Sequence, residues 1–277
     1  MIGRTCLWIY LVASVFATQL PAAPVRVLIL TGQHDVLYHH WRETTPFLRS
    51  MLENTGRFEV WVEEQVEGIS ARTLQNFDVL LLNYRGPRWG AETEKAVEDF
   101  VGAGKGMITF HGVIYGDFFG QELVNNSRWR QLPNGDRGWA AYSEMLGATW
   151  APEDISHAPR HVFTVKWVDG DHPIARGLPP TFVANDELYH RIKLRSNAHV
   201  LATAYDDPGN GSAPAGTREA GTGKDEPVVW TVPYGAGRVV YISLGHDVRA
   251  MSQPGFIAAL TRGTEWAATG EVTLPAY

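Results

Sequence analysis

The chain has one cysteine in 277 residues, Cys6, and it lies in the N-terminal segment. If that segment is removed, no disulfide can form and no thiol can act as a nucleophile. A domain of about 250 residues buries enough surface to be stable without disulfides. The near absence of cysteine therefore excludes thiol chemistry in the mature chain, and it is compatible with an oxidising compartment.

Other patterns that would indicate a partner or a reaction are also missing. The formal charge is −6 and no basic cluster occurs, so we expect no nucleic-acid partner. The glycine-rich run at residues 102–106 precedes a strand instead of following one, so we expect no nucleotide cofactor. The HExxH metal pattern and the Gly-x-Ser-x-Gly elbow are absent, which removes two common hydrolase signatures.

The first 23 residues have the order of features that an export signal shows. A positive charge precedes an apolar run at residues 6–17, which is within the about 7 to 15 residues of a signal core and shorter than the about 20 that span a bilayer. We predict cleavage near Ala22 or Ala23. The mature chain, residues 24–277, is then periplasmic or secreted and has no membrane insertion. A retained N-terminal anchor is the alternative.

Apolar strands alternate with amphipathic helices in the first half of the chain. Strands are predicted at residues 25–30, 58–62, 78–83 and 106–110, with helices at 46–53 and 92–101. Thr45 followed by Pro46 predicts an N-cap and a first helical residue. Buried strands separated by helices are typical of a parallel sheet covered on both faces. The predicted fold class is α/β, a doubly wound, mostly parallel, flavodoxin-like sheet in three αβα layers.

The second half shows strand composition followed by one closing helix. Strands are predicted at residues 161–168, 199–204, 227–232 and 238–244, and the helix at 254–268. Residues 207–226 are rich in Gly, Ala, Pro, Asp and Ser, which predicts a surface loop. No repeat or linker divides the chain, so we expect one domain after the signal.

The strand at 106–110 leads directly into His111 and Gly112. Many α/β enzymes place a nucleophilic Cys or Ser at this sharp strand-to-helix elbow, at the carboxyl edge of the sheet. His111 at this position removes the obvious nucleophile of a covalent acyl mechanism. It offers an imidazole for acid–base chemistry or for a metal ion instead.

Ligands of a doubly wound sheet bind outside the carboxyl ends of the strands, so the loops after the strands hold the candidate residues. Those loops contain His34, His39, His40, Arg42, Arg85, His111, Tyr115, Asp117, His246 and Asp247. Five of the ten histidines lie in these loops. The alternatives are that His34 and His40 only face water, and that Asp247 caps the next helix. The loop at 151–160, with His157, could fold over the same site.

The segment from Asp186 to His190 places two carboxylates, a phenol and an imidazole within five residues. In an extended chain, Glu187 and Tyr189 point to one side and their neighbours to the other. The segment therefore either contributes to a site or is an ordinary surface strand.

Several separated motifs, taken together, resemble the ThuA-like family, which is named for trehalose utilisation. They are TGQ, HHWRETTPFLRSMLE, FHG, HPIARGLP, DELYH, PVVWTVPYGAGRVVYISLGHD and RGTEWAATG, from about residue 25 to 270. The resemblance implies a fold similar to class I glutamine amidotransferases, without their reaction, because His111 stands where they have cysteine. It also implies carbohydrate catabolism, often beside oxidoreductases that make 3-keto sugars. The family's recurrent polar positions match His39, Trp41, His111, Glu187, Tyr189, His246 and Asp247.

These observations predict an exported enzyme that acts on a small-molecule sugar or keto-sugar glycoside by hydrolysis, isomerisation or elimination. The predicted catalytic residues are His111, Glu187 and His246. The predicted substrate-binding residues are Trp41, Arg42, Arg85, Tyr115, Tyr189 and Asp247. One divalent metal such as zinc is compatible with His39, His111 and His246 as ligands, and a homo-oligomer is compatible with the chain. The alternative is a non-catalytic sugar-binding protein on the same scaffold.

Overall fold

The computed structural model describes residues 23–33, 38–124, 128–210 and 220–276. The predicted signal segment, apart from residue 23, lies outside the described residues. So do His34 and nearly half of the predicted surface loop. Of the helices in the described ranges, none combines the length and the apolar character needed to cross a bilayer.

The described residues form thirteen strands and six α-helices. The strands are β1 Val25–Gln33, β2 Phe58–Glu63, β3 Val79–Arg85, β4 Gly106–Phe110, β5 Gln121–Val124, β6 Arg128–Gln131, β7 Ala148–Thr149, β8 His161–Trp167, β9 Thr181–Asp186, β10 Lys193–Leu194, β11 His199–Tyr205, β12 Asp225–Tyr234 and β13 Gly237–Ile242. The helices are α1 Trp41–Glu53, α2 Ala71–Leu74, α3 Ala91–Gly102, α4 Ala140–Leu146, α5 Val248–Met251 and α6 Pro254–Thr269.

Nine strands form one central sheet in the order β2-β1-β3-β4-β13-β12-β11-β8-β9. The five strands from β2 to β13 are parallel, and the four from β12 to β9 join them by antiparallel pairings. The strands predicted at residues 25–30, 78–83, 106–110 and 238–244 lie side by side and parallel as β1, β3, β4 and β13, as a doubly wound sheet requires. Two small antiparallel pairs, β5 with β6 and β7 with β10, lie outside the central sheet.

Helices cover both faces of this sheet and create two apolar cores. Leu48 and Leu52 of α1 pack with Phe256 and Leu260 of α6 on one face. The helices α2, α3 and α4 pack on the other face. Strands such as β3, which is apolar at four successive positions, are buried because both of their faces are covered. The predicted α/β class and its three layers are therefore confirmed.

Helix α1 begins at Trp41, so the prediction of a start at Thr45 and Pro46 is wrong. Pro46 lies inside the helix, where it removes one backbone hydrogen bond. Thr45 does not cap the helix, because its hydroxyl is buried 2.7 Å from the hydroxyl of Thr31 in β1. Asn83 of β3 also donates to Thr45 at 2.8 Å. These contacts with the sheet stabilise the earlier turn of the helix against its local sequence preference.

The antiparallel half brings further chain segments to the carboxyl edge of the parallel strands. β11 and β9 run in the direction of β13, so β9 ends at that edge with Asp186. β8 runs the opposite way, so the residues just before His161 lie at the same edge. This edge therefore receives the loops after β1, β3, β4, β9 and β13, together with the loop before β8.

Candidate active site at the carboxyl edge of the sheet

His111 occupies the elbow after β4 and is 1% exposed. Its φ of 47° lies in the left-handed region, which is uncommon for a residue with a side chain and typical of strained functional turns. Gly112 follows because no larger residue fits there. A Cβ at position 112 would collide with the Arg85 guanidinium and lie 2.5 Å from a carbon of the His39 ring. The elbow thus brings three candidate side chains close together.

The imidazole of His111 has a defined orientation. Its Nδ1 lies 2.9 Å from the carbonyl oxygen of Ser243, directly after β13. Because a carbonyl only accepts hydrogen bonds, Nδ1 carries a hydrogen and donates it. Nε2 therefore faces the site, where it lies 3.2 Å from His246 Nδ1. The ring also stacks on Tyr189, with centroids 4.3 Å apart.

The carboxylate of Glu187 is the centre of the cluster. Its Oε2 lies 3.1 Å from His246 Nδ1, 3.5 Å from His111 Nε2 and 3.5 Å from His157 Nε2. Burial alone would raise the pKa of Glu187, but the adjacent rings of His111 and His246 and the charge of His157 bring it well below its ordinary value. Glu187 is therefore ionised at neutral pH.

The neighbouring Asp186 ties the end of β9 to the loop after β13. Its carboxylate accepts hydrogen bonds from the backbone N–H of Gly245 at 2.6 Å and of Glu187 at 2.8 Å. Burial raises the pKa of this carboxyl group. Asp186 thereby sets the position of both Glu187 and the adjoining His246.

His246 and His39 complete a group of three imidazoles with His111. Burial alone would lower the pKa of His246, but the hydrogen bond to Glu187 and nearby carboxylate charges raise it. Burial, together with the positive charge of Arg85, lowers the pKa of His39 well below its ordinary value, so this ring is neutral. One ligand atom from each of the three rings lies within 4.8 Å of the other two.

These residues open onto a cleft that is lined by His39, Trp41, Thr44, Asn83, Tyr84, Arg85, Phe110, His111, Gly112, Val113, Gly245, His246 and Met251. Five predicted side chains, those of His39, Trp41, Arg85, His111 and His246, line it directly. Tyr115 and Tyr189 are buried behind it, with ring centroids 6.4 Å apart.

Two of the predicted substrate-binding residues have other surroundings. Arg42 is exposed and lies over the ring of Trp41, 4.2 Å from its centroid, outside the residues that line the cleft. Asp247 caps helix α5, where its Oδ1 accepts a hydrogen bond from Ala250 N at 2.8 Å, and its Oδ2 pairs with Arg160. Asp247 therefore matches the capping alternative, because both of its carboxylate oxygens already have protein partners.

The structure adds His157, Arg160, Asp186 and Trp129 to the surroundings of the site. His157 and Arg160 come from the loop before β8, and the sequence drew attention to this loop without assigning it a role. The expected alternation at residues 186–190 holds, because Glu187 and Tyr189 reach the site while His190 pairs with Asp206 elsewhere. Trp129 reaches Tyr115 from the β5–β6 hairpin, with ring centroids 5.7 Å apart, and no sequence pattern indicated this contact.

Comparison with known proteins identifies the family. A family model described as ThuA, trehalose utilisation, matches residues 26–267. The chain belongs to the ThuA family. Its membership supports a carbohydrate-related role. No curated protein matches the chain.

Several solved structures have a fold similar to that of this ThuA-family chain. A ThuA-like protein from Parabacteroides merdae is 27% identical, with a TM-score of 0.68 over 92% of this chain and 93% of its own. One from Bacteroides uniformis is 20% identical, with a TM-score of 0.68 over 93% of this chain and 98% of its own. A cytoplasmic protein from Salmonella typhimurium is 15% identical, with a TM-score of 0.55 over 87% of this chain and 98% of its own. The last two show the fold alone.

Proposed function

We propose that this ThuA-family chain is an enzyme that acts on a sugar or keto-sugar glycoside. Imidazoles of the site remove a proton from the substrate and return one to it. The observation that carries the proposal is the position of Glu187 Oε2, which lies within 3.5 Å of nitrogens of three histidines. Such convergence of titratable groups in a cleft is characteristic of catalytic sites. A protein that only binds sugars has no need of it.

The roles follow from the charge states. Glu187 is ionised and cannot donate a proton, so it holds and polarises the imidazoles around it. The Nε2 of His111 is free to accept a proton from the substrate, because its Nδ1 is engaged with Ser243. His246, whose pKa Glu187 raises, is the candidate acid that returns a proton. Hydrolysis, isomerisation and elimination at a keto-sugar all use this pair of steps.

As an alternative to proton transfer by these imidazoles, we propose that His39, His111 and His246 hold one divalent ion such as zinc, because a ring nitrogen that binds a metal cannot also accept a proton. Three features of these side chains fit a metal ion. His39 is neutral and its Nε2 is buried without a partner among the described residues. His111 donates its other ring N–H to a carbonyl, as metal-binding histidines do. Nitrogens around one zinc ion lie roughly 3.4 Å apart, so ligand atoms within 4.8 Å need only small ring movements. A metal there would supply Lewis-acid chemistry.

The test combines metal analysis with turnover. If the three rings bind a metal, purified wild-type protein should contain about one divalent ion per chain; metal-free protein with turnover would support proton transfer by the imidazoles. His39→Ala and His246→Ala should lose it, whereas His172→Ala, a half-buried histidine outside the site, should keep it. A panel of sugar and 3-keto-sugar glycosides is then assayed, and we expect His246→Ala to lower turnover by about 100-fold. Sugar binding without any turnover would instead support the non-catalytic alternative.

Export by the N-terminal segment remains a separate proposal. The order of positive, apolar and small residues in the first 23 positions supports it. N-terminal sequencing of protein from the cell-envelope fraction should give a start near residue 23 or 24. Recovery of Met1 there would contradict cleavage.

A further inference from the structure

Arg85 is a buried cation that lines the cleft and has no carboxylate partner among the described residues. It ends β3 and is 9% exposed. Its Nη1 is buried and has no hydrogen-bond partner in the described ranges. Buried arginines are almost always paired with an anion, because a desolvated charge without one costs free energy. The position of Arg85 therefore needs an explanation other than stability.

The contacts that hold Arg85 fix its geometry and leave its charge unbalanced. Its Nη2 donates to the carbonyl oxygen of Gly112 at the elbow. The guanidinium lies 4.0 Å from the ring centroid of Tyr115 and 5.4 Å from that of Trp129. Burial raises the pKa of Tyr115 to about 12, so its phenol is neutral. Stacking on these rings compensates only part of the free-energy cost of burying the charge.

The proposed reaction develops a negative charge that Arg85 can stabilise. When an imidazole removes a proton from the carbon beside a carbonyl group, the C–H electron pair forms a C=C bond. The carbonyl π pair then moves to oxygen, which becomes negatively charged. A donor fixed in advance and buried from water stabilises such a charge effectively.

We propose that Nη1 of Arg85 hydrogen-bonds the substrate carbonyl oxygen on which negative charge develops when an imidazole removes the adjacent proton. The inference rests on the proposed function and names its substrate class, a sugar with a ketone next to the carbon that loses its proton. Nη2 is already engaged with Gly112. The arrangement therefore suits a single oxygen better than the two oxygens of a substrate carboxylate, which favour a fork of two donors.

Two variants and one control test this role by activity. Arg85→Gln and Arg85→Lys are compared with Arg49→Gln, an exposed arginine on α1, using a 3-keto-glucoside in D₂O. Turnover and solvent deuterium exchange at the carbon beside the ketone are followed by NMR. We expect Arg85→Gln to lower both rates by about 100-fold or more with KM changed less than about threefold. Arg85→Lys should recover part of this loss, and Arg49→Gln should match the wild type.

The outcomes separate this inference from the proposed function. If the wild type turns over the keto-sugar and Arg85→Gln does so at the same rate, the inference is overturned and the proposed function stands. A raised KM with unchanged kcat would also overturn it, because it would indicate a substrate with a permanent negative charge. No turnover of any carbonyl sugar by the wild type would overturn the proposed function and, with it, the inferred substrate class.

A stability measurement tests the same inference without activity. Because Arg85 is placed for a ligand and not for packing, Arg85→Met should unfold at the wild-type temperature or above it. A fall of more than about 10 °C in Tm would show a structural residue and overturn the proposal.

Discussion

The phenol of Tyr241 donates a 2.6 Å hydrogen bond to the backbone carbonyl of His111. Tyr241 lies in β13, and its ring is fully buried against Trp230 of β12. The same strand leads to Ser243, whose carbonyl holds the ring of His111. β13 therefore fixes the elbow residue through both its backbone and its side chain.

Tyr241→Phe should weaken the elbow while keeping the packing of the ring. Because the His111 carbonyl loses a buried partner, we expect unfolding free energy to fall by about 1 to 2 kcal/mol in urea titrations. Tyr142→Phe is the matched control, since it removes a buried phenol that donates to Val113 two residues further along. Equal losses of turnover in both variants would argue against a specific role of the Tyr241 contact.

His111→Ala and His111→Gly separate catalysis from backbone strain. Both variants should lower turnover by about 100-fold or more, because both remove the imidazole. Since glycine adopts a φ of 47° without penalty, the glycine variant should be more stable than the alanine variant by about 1 kcal/mol. Near wild-type turnover in both variants would refute the catalytic role.

Asp247→Ala should destabilise the loop that carries His246. The substitution removes the cap of α5 and the ion pair with Arg160, so we expect a loss of about 1 to 2 kcal/mol in thermal unfolding. Asp247→Asn keeps a capping oxygen but not the charge, and should recover most of that stability. If turnover falls equally in both variants while stability does not, Asp247 contacts the substrate.

Asp78 should make stability depend on acidity without affecting the site. Burial alone would raise the pKa of Asp78, but hydrogen bonds from Arg26 and Lys105 lower it to about 2. A carboxyl whose folded pKa is lowered contributes stability above its ordinary value of about 4, and this is lost as the pH falls through about 2. Asp78→Asn should therefore cost about 1 to 2 kcal/mol at pH 7 and little near pH 2, with unchanged turnover at pH 7.

The sequence predicts the parallel half of the sheet well because its strands are apolar at successive positions and buried on both faces. The same reasoning brings His39 and His111 to one edge, and their ring centroids are 4.9 Å apart. It does not assign a role to His157 and Arg160, because the sheet-edge rule selects only the loops that follow parallel strands. These two residues precede β8, which runs antiparallel, so a loop before that strand reaches the same edge.

Contacts distant in sequence explain the other differences. The start of α1 depends on the hydrogen bond between Thr45 and Thr31 and on the one that Asn83 donates to Thr45, and no local pattern contains these contacts. The pKa of Glu187 is lowered and that of the adjacent Asp186 is raised, because only the Glu187 carboxylate lies against imidazole nitrogens. Neither fact can be read from composition or spacing.

The position of β13 has a consequence for folding. It is the last strand in the described chain and lies in the middle of the central sheet, between β4 and β12. Until it is synthesised, β4 presents an open strand edge, which is a site for pairing with other chains. Strand pairings so far apart in sequence also form slowly. We therefore expect the nascent chain to depend on chaperones until β13 emerges, because the sheet and the histidine cluster are completed by the same strand.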